Sequence, residues 1–228
     1  RHTSHCYGAW PGDEIDPDRT PQLARAAVIA DRRRTFDLMS TAVAGETLPA
    51  YARCHRALAG ARLKDNVIVD VQLRQLFEQG YVSTALRCSR DPYAGPVPDA
   101  HSGIPAIIME MLAYSRPGVI EVLPALPPSL VKGSIHGMLA RTFARIDTLA
   151  WDMDARTVDL TITSTRRQDV TLIARHGIDE ISAPSDVLAA KPPSGTADCD
   201  LHLPEGRPVR VHLKVGPRNP LDWAAQAV

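Results

Sequence analysis

Two loops carry the side chains best suited to chemistry. The first is Arg1-His2-Thr3-Ser4-His5-Cys6-Tyr7-Gly8-Ala9-Trp10-Pro11-Gly12, which ends in a Pro-Gly turn. Imidazole and guanidinium groups donate hydrogen bonds to hydroxyls, and Tyr7 or Trp10 can offer an apolar face to a sugar ring. That composition suits a carbohydrate. His2 and His5 stand three positions apart and could also offer two nitrogens to a metal from one helical face. A catalytic zinc needs a third protein ligand and an open position, and no HExxH glutamate accompanies these histidines. On composition alone, a polar loop with satisfied histidines is the simplest description.

The second loop, Pro96-Val97-Pro98-Asp99-Ala100-His101-Ser102-Gly103, runs straight into the clearest helical pattern of the chain. Asp99 there can be a capping carboxylate, because a helix N-terminus stabilises negative charge. The same field would keep a catalytic Asp99 ionised, which suits a base rather than an acid. Both readings stay open at this point. Ser102 is a competing cap that leaves Asp99 freer to act elsewhere. Glu110, between Met109 and Met111, falls off the apolar stripe and is expected at the surface. The acidic stretch Asp13, Glu14, Asp16 and Asp18 is expected to be solvated, and its spacing does not match an EF-hand.

The elements that must position these loops follow from periodicity. Thr20 can cap a first helix that Pro21 opens, with Leu23, Ala26, Ala27 and Ala30 inward. Arg32-Arg33-Arg34 then falls in its last turn, where positive charge is favoured. A second helix is expected over 48–61, with Tyr51, Cys54, Leu58 and Ala61 on one stripe. A third covers 66–79, with Val69, Leu73, Leu76 and Phe77 inward. In the fourth, Ile104, Ile107, Ile108, Met111 and Leu112 mark a buried face. Ser102 caps it, Pro105 fits its first turn, and Arg116-Pro117-Gly118 stops it.

After Gly118 the period becomes two. Strands are expected over 119–123, 139–146, 148–153, 158–162, 170–174 and 209–215, with a turn at Asp154-Ala155-Arg156 and a loop over 183–197. Trp223 in the tail can pack back onto the body. Helices followed by antiparallel strands give an α + β chain of two domains, 1–118 helical and 119–228 a β-sandwich.

The 228 residues suffice for a real core. Lys+Arg and Asp+Glu both count 26, so charge gives no reason to expect nucleic acid or an anionic membrane as partner. No apolar run is long enough to span a bilayer. Cys6, Cys54, Cys88 and Cys199 form no CxxC and are read as thiols in or near the core. The 19 prolines cluster around 92–98, 117–128 and 184–193, where regular structure should break. The chain opens at Arg1, inside its densest functional loop, so it is expected to be the C-terminal part of a longer protein whose compartment stays open.

Read together, the loops resemble the C-terminal part of family 95 glycoside hydrolases, the α-L-fucosidase and α-L-galactosidase group. Arg1 to Gly12 is similar to the family's R-H-x-S-H-L-Y-G-L-x-P-G, and Thr20-Pro21-Gln22-Leu23-Ala24-Arg25-Ala26-Ala27 to its T-P-E-L-x-x-A-A. Asp99-Ala100-His101-Ser102-Gly103 takes the place of D-A/G-N-F-G. Leu123-Pro124-Ala125-Leu126-Pro127 resembles L-L-P-A-L-P, and Gly133 to Arg141 resembles G-x-V-x-G-L-x-A-R. The resemblance departs at His101-Ser102, where the family has Asn-Phe. It departs again around 36–48, where Ser40-Thr41-Ala42-Val43 stands and no G-T-G-W-S block is recognisable.

The resemblance implies the last helices of an (α/α)6 barrel followed by a β-sandwich. It implies hydrolysis of terminal α-L-fucosyl or α-L-galactosyl residues with inversion, by a glutamate acid and an asparagine, polarised by an aspartate, that positions water. Asp99 matches that aspartate, Arg1 and His2 match substrate-contacting residues, His5 belongs to the same motif, and His101 lines the altered pocket wall. The acid and the asparagine would lie upstream, so the chain alone is expected to be inactive for want of a proton donor. A glycan and the upstream part of the same polypeptide are the partners implied, with no cofactor, metal, nucleic acid or membrane. The rival expectations are a non-catalytic carbohydrate-binding relative and a metal hydrolase built on His2 and His5.

Overall fold

The computed structural model describes residues 3–40, 50–78, 98–217 and 219–220. It divides into two units: Arg1–Met111 with Ala125–Pro128 and Leu221–Val228, and Leu112–Pro124 with Ser129–Pro220.

The first unit holds α1 (Pro21–Ser40), α2 (Ala50–Arg62), α3 (Asn66–Glu78) and α4 (Pro98–Leu112). Pro21 opens α1 as expected. Thr20 does not cap it: its hydroxyl donates to the Glu14 carbonyl at 2.8 Å and accepts from the Asp16 N–H at 2.9 Å. The buried stripe of α1 is Ala24, Ala27, Val28, Asp31 and Thr35, while Leu23, Ala26 and Ile29 are exposed. Small residues win this face because Cys6, Ala9, Ala59 and Leu63 pack closely against it. The helix continues past the arginine run, so Arg32 lies mid-helix and makes a two-point ion pair with Asp65 at 2.5 and 2.8 Å.

Almost all of α2 is buried, and only Tyr51 and His55 are partly exposed. Asp65 caps α3 by accepting from the Ile68 N–H at 3.2 Å. Val69, Leu73 and Leu76 face inward as expected, but Phe77 is exposed. Pro98 takes the first position of α4, so Ser102 and Pro105 lie inside the helix rather than at its start. Gly103 lets α4 approach α2, since a Cβ there would stand 2.9 Å from Cys54 Cβ. Glu110 is not at the surface: both carboxylate oxygens accept from Arg62 at the end of α2, at 2.6 and 3.0 Å. Helix α4 ends at Leu112, and a strand follows at once.

The second unit is one eight-stranded sheet of β1 (Ala113–Arg116), β2 (Val119–Val122), β3 (Lys132–Ala140), β4 (Ala144–Asp152), β5 (Thr157–Ser164), β6 (Gln168–Ser182), β7 (Thr196–Leu203) and β8 (Pro208–Val215). The order is β1-β2-β6-β8-β5-β4-β3, with β7 also on β6, and only β2–β6 is parallel. Strand β6 changes partners along its length. Residues 168–173 and Ile178 pair with β7 on one edge, while the other edge passes from β2 at 171–173 to β8 at 178–182, with Gly177 at φ +87 before the change. The ends of the path meet, since the Arg141 N–H donates to Ser115 Oγ at 2.8 Å and the Gly118 N–H to Thr142 Oγ1 at 2.9 Å. The sheet is therefore nearly closed.

The sheet unit also differs from expectation in several places. The run 139–146 is not one strand: β3 turns into β4 at 141–143, where Phe143 takes φ +56 under the Arg166 guanidinium, 3.9 Å from its ring centroid. Strand β1 replaces the expected last turn of the fourth helix. Strand β7 begins inside the expected 183–197 loop, with Cys199, Leu201 and Leu203 alternating inward.

Candidate active site

The loop of the first twelve residues is built around a one-turn 3-10 helix, Ser4–Cys6. Cys6 points into the core and His5 stays exposed. Backbone bonds fold the loop on itself, from the Cys6 N–H to the Thr3 carbonyl at 2.8 Å, from Trp10 to Cys6 at 3.1 Å and from Gly12 to Tyr7 at 2.9 Å. No larger residue fits at Gly12, where a Cβ would lie 2.8 Å from the Tyr7 carbonyl.

His55 on α2 pins both ends of this loop. Its Nε2 lies 3.1 Å from the Trp10 carbonyl, which can only accept, so Nε2 donates. In the neutral ring Nδ1 then accepts from the Thr3 hydroxyl at 2.6 Å. The Trp10 ring meets His55 edge-on at 5.9 Å. One imidazole thus fixes the loop, its own tautomer and the tryptophan.

Beneath the loop lies a buried polar cluster. Arg56, fully buried, donates to Thr35 at 3.3 Å. Burial, aided by Asp65, pushes the Asp31 carboxyl up to about 7 against the pull of Arg56 and Arg34. Both Asp31 oxygens are buried and lack a hydrogen-bond partner among the described residues. Burial and Asp31 push the Cys6 thiol up to about 12, which makes it inert as a nucleophile. Burial first, then the charges of Arg34, Arg56 and His55, hold His5 below the usual histidine value. At neutral pH His5 is therefore an uncharged donor and acceptor, suited to a hydroxyl ligand.

Of the residues singled out from the sequence, His5 and His101 are described: His5 on the loop, His101 partly exposed in the first turns of α4. Arg1, His2 and the Asp99 side chain lie outside the described residues, although the backbone of Asp99 is the second residue of α4. The region around 41–49, Cys88 and Trp223 lie outside them too. Among the described residues no cluster of His, Cys, Asp and Glu could hold a metal ion. Cys6, Cys54 and Cys199 are buried thiols. Sequence reasoning missed His55, Arg56 and Asp31. The usable signal for Asp31 and Thr35 was their continuation of the Ala24-Ala27-Val28 stripe at helical spacing.

The unit bearing this loop, residues 1–112, matches the model of the glycosyl hydrolase family 95 catalytic domain, and residues 114–195 match the glycoside hydrolase family 95 C-terminal domain. The step from one to the other falls where α4 gives way to β1. The two matches are the catalytic and C-terminal domains of one glycoside hydrolase family, in tandem. The chain belongs to glycoside hydrolase family 95. It is 26% identical over 203 residues to alpha-L-fucosidase 2 of Arabidopsis thaliana, covering 84% of this chain and 22% of that protein. It thus spans about a fifth of the relative's length, by the 22% figure. Among solved structures it is similar to a GH127 beta-L-arabinofuranosidase from Geobacillus Stearothermophilus T6, with a TM-score of 0.37 and 15% identity over 78% of this chain and 34% of that one.

Proposed function

We propose that this chain is the C-terminal part of an inverting exo-glycosidase that releases terminal α-L-fucosyl, or related α-L-galactosyl, residues from glycans. The match of residues 1–112 to a glycoside hydrolase catalytic domain carries this reading. On it, α1 to α4 are the last helices of an (α/α)6 barrel, and the sheet that begins at β1 is the C-terminal domain. Leu23, Ile29, Phe77 and Met109 are large apolar side chains exposed in the helical unit, and further barrel helices would cover them. That exposure supports the reading.

Asp99, the second residue of α4, polarises the asparagine that orients the attacking water. Arg1 and His2 hold substrate hydroxyls, His5 adds a neutral imidazole beside them, and His101 shapes the wall. The glutamate acid and the asparagine come from the upstream polypeptide. Inversion needs roughly 6.5–9.5 Å between acid and base carboxyls to admit the water. Without the acid, the chain alone does not turn over.

The His101-Ser102 departure favours a second reading, a carbohydrate-binding homologue without chemistry. Proton NMR of the first-formed sugar separates the two: a full-length protein releasing the inverted anomer supports the enzyme, and none released supports the binder. Robust hydrolysis by the 228-residue chain alone would overturn the division of roles.

A further inference from the structure

We infer that the sheet unit carries a second ligand site, a groove for a neutral glycan segment on the outer face of β4, β5, β8 and the end of β6. It goes beyond the proposed hydrolysis, because none of its residues belongs to the helical unit.

The groove has a volume of about 520 Å³, within the size range of small-ligand sites. The strand register builds its floor. Thr148, Thr161 and Arg210 form one cross-strand row, and Asp159 and His212 form the next. Neighbouring strands lie about 4.8 Å apart and same-face residues about 6.6 Å apart along a strand, so the rows offer polar groups on the scale of a sugar ring. Asp159 Oδ1 lies 2.8 Å from His212 Nδ1, which orients the imidazole and leaves its other nitrogen available. Arg210 is exposed and makes no hydrogen bond or ion pair with any described residue.

Pro184 supplies an apolar wall that is fixed in place. The Val187 N–H closes a turn onto the Pro184 carbonyl at 2.9 Å, and the His202 N–H holds the Val187 carbonyl at 2.7 Å. The wall is therefore tied to β7, with Val187 fully buried behind it.

The lining holds one guanidinium, one carboxylate bonded to an imidazole, and hydroxyls, so donors and acceptors mix without excess charge. Such a surface matches vicinal hydroxyls, which donate and accept, better than a phosphate or a metal ion. No Trp, Tyr or Phe lines the groove, so binding is expected to be weak and to depend on the polar groups.

The test is an amide NMR titration of the whole chain with neutral glucan, xylan and galactan tetrasaccharides, and with tetragalacturonate as the acidic counterpart. At least one neutral tetrasaccharide should give saturable shifts confined to β4, β5, β8 and the Pro184 turn. Affinity should fall tenfold or more in Arg210→Ala and Asp159→Asn, and less in Arg210→Lys. Leu139→Ala, exposed elsewhere on the sheet, should bind as the parent does. Spectral dispersion reports whether each variant is folded. The site is overturned if no neutral tetrasaccharide shifts these strands, if tetragalacturonate binds more tightly than all of them, or if folded Arg210 and Asp159 variants bind unchanged. Hydrolysis by the longer protein plays no part in this readout, so failure here and failure of the glycosidase reading are distinguishable.

Discussion

Arg62 and Glu110 join α2 to α4 through two parallel hydrogen bonds, Nε to Oε2 at 2.6 Å and Nη2 to Oε1 at 3.0 Å. Their side chains are only 7% and 12% exposed, so the pair is largely withdrawn from water. The pair fixes the helix whose first turn holds Asp99.

Removing one partner leaves a largely buried charge, which costs about 3–5 kcal/mol when burial is complete. Glu110→Ala and Arg62→Ala are each expected to destabilise by about 3 kcal/mol in denaturant unfolding. The double variant should lose clearly less than the sum, as groups in direct contact do. Additive losses would show that the pair contributes no coupling.

His55 is a positioning residue for the first loop. His55→Phe keeps a ring against Trp10 but removes both hydrogen bonds, each contributing about 1 kcal/mol. Amide hydrogen exchange over residues 3–12 should speed up with little change in α3. On the glycosidase reading, KM of the protein with its upstream part should rise more than kcat falls, and His55→Gln should partly restore it. Unchanged exchange in the loop would remove His55 from this role.

The sheet unit has its own acid sensitivity. His176 on β6 is buried, and burial lowers it from the usual 6.5 to about 4. Between those values the unfolded chain binds the extra proton, so stability is full above about pH 6.5 and is lost progressively as pH falls through 4. The whole shift corresponds to about 3 kcal/mol. His176→Phe should flatten the pH dependence of unfolding in this window. A slope identical to the parent's would exclude His176 as its source.

Much of the framework was legible in the sequence because punctuation and period agree there. Pro21 opens α1, Val158, Leu160 and Ile162 alternate on β5, and Asp154-Ala155-Arg156 makes its turn. The failures have physical causes. Leu23 outweighs alanine on any hydropathy scale, yet close approach to Cys6 and Ala59 selects the small face. Glu110 lies off the apolar stripe but meets an arginine 48 residues away, which no local pattern encodes. The turn at 141–143 lacks glycine, proline, asparagine and aspartate, so β3 and β4 read as continuous. At the site, the ordered blocks marked the two loops. The anchoring of one by His55, and the cluster of Asp31 and Arg56 beneath it, arise only when distant helix positions meet.

The most direct test of the glycosidase reading is Asp99→Asn in the full-length protein, with kcat, KM and unfolding midpoint measured together on an α-L-fucoside. Loss of the carboxylate that polarises the water-orienting asparagine should lower kcat by roughly 10²–10⁴-fold, the range for acid–base catalysis, with KM and stability little changed. Turnover unchanged from the parent would contradict it and remove Asp99 from the mechanism.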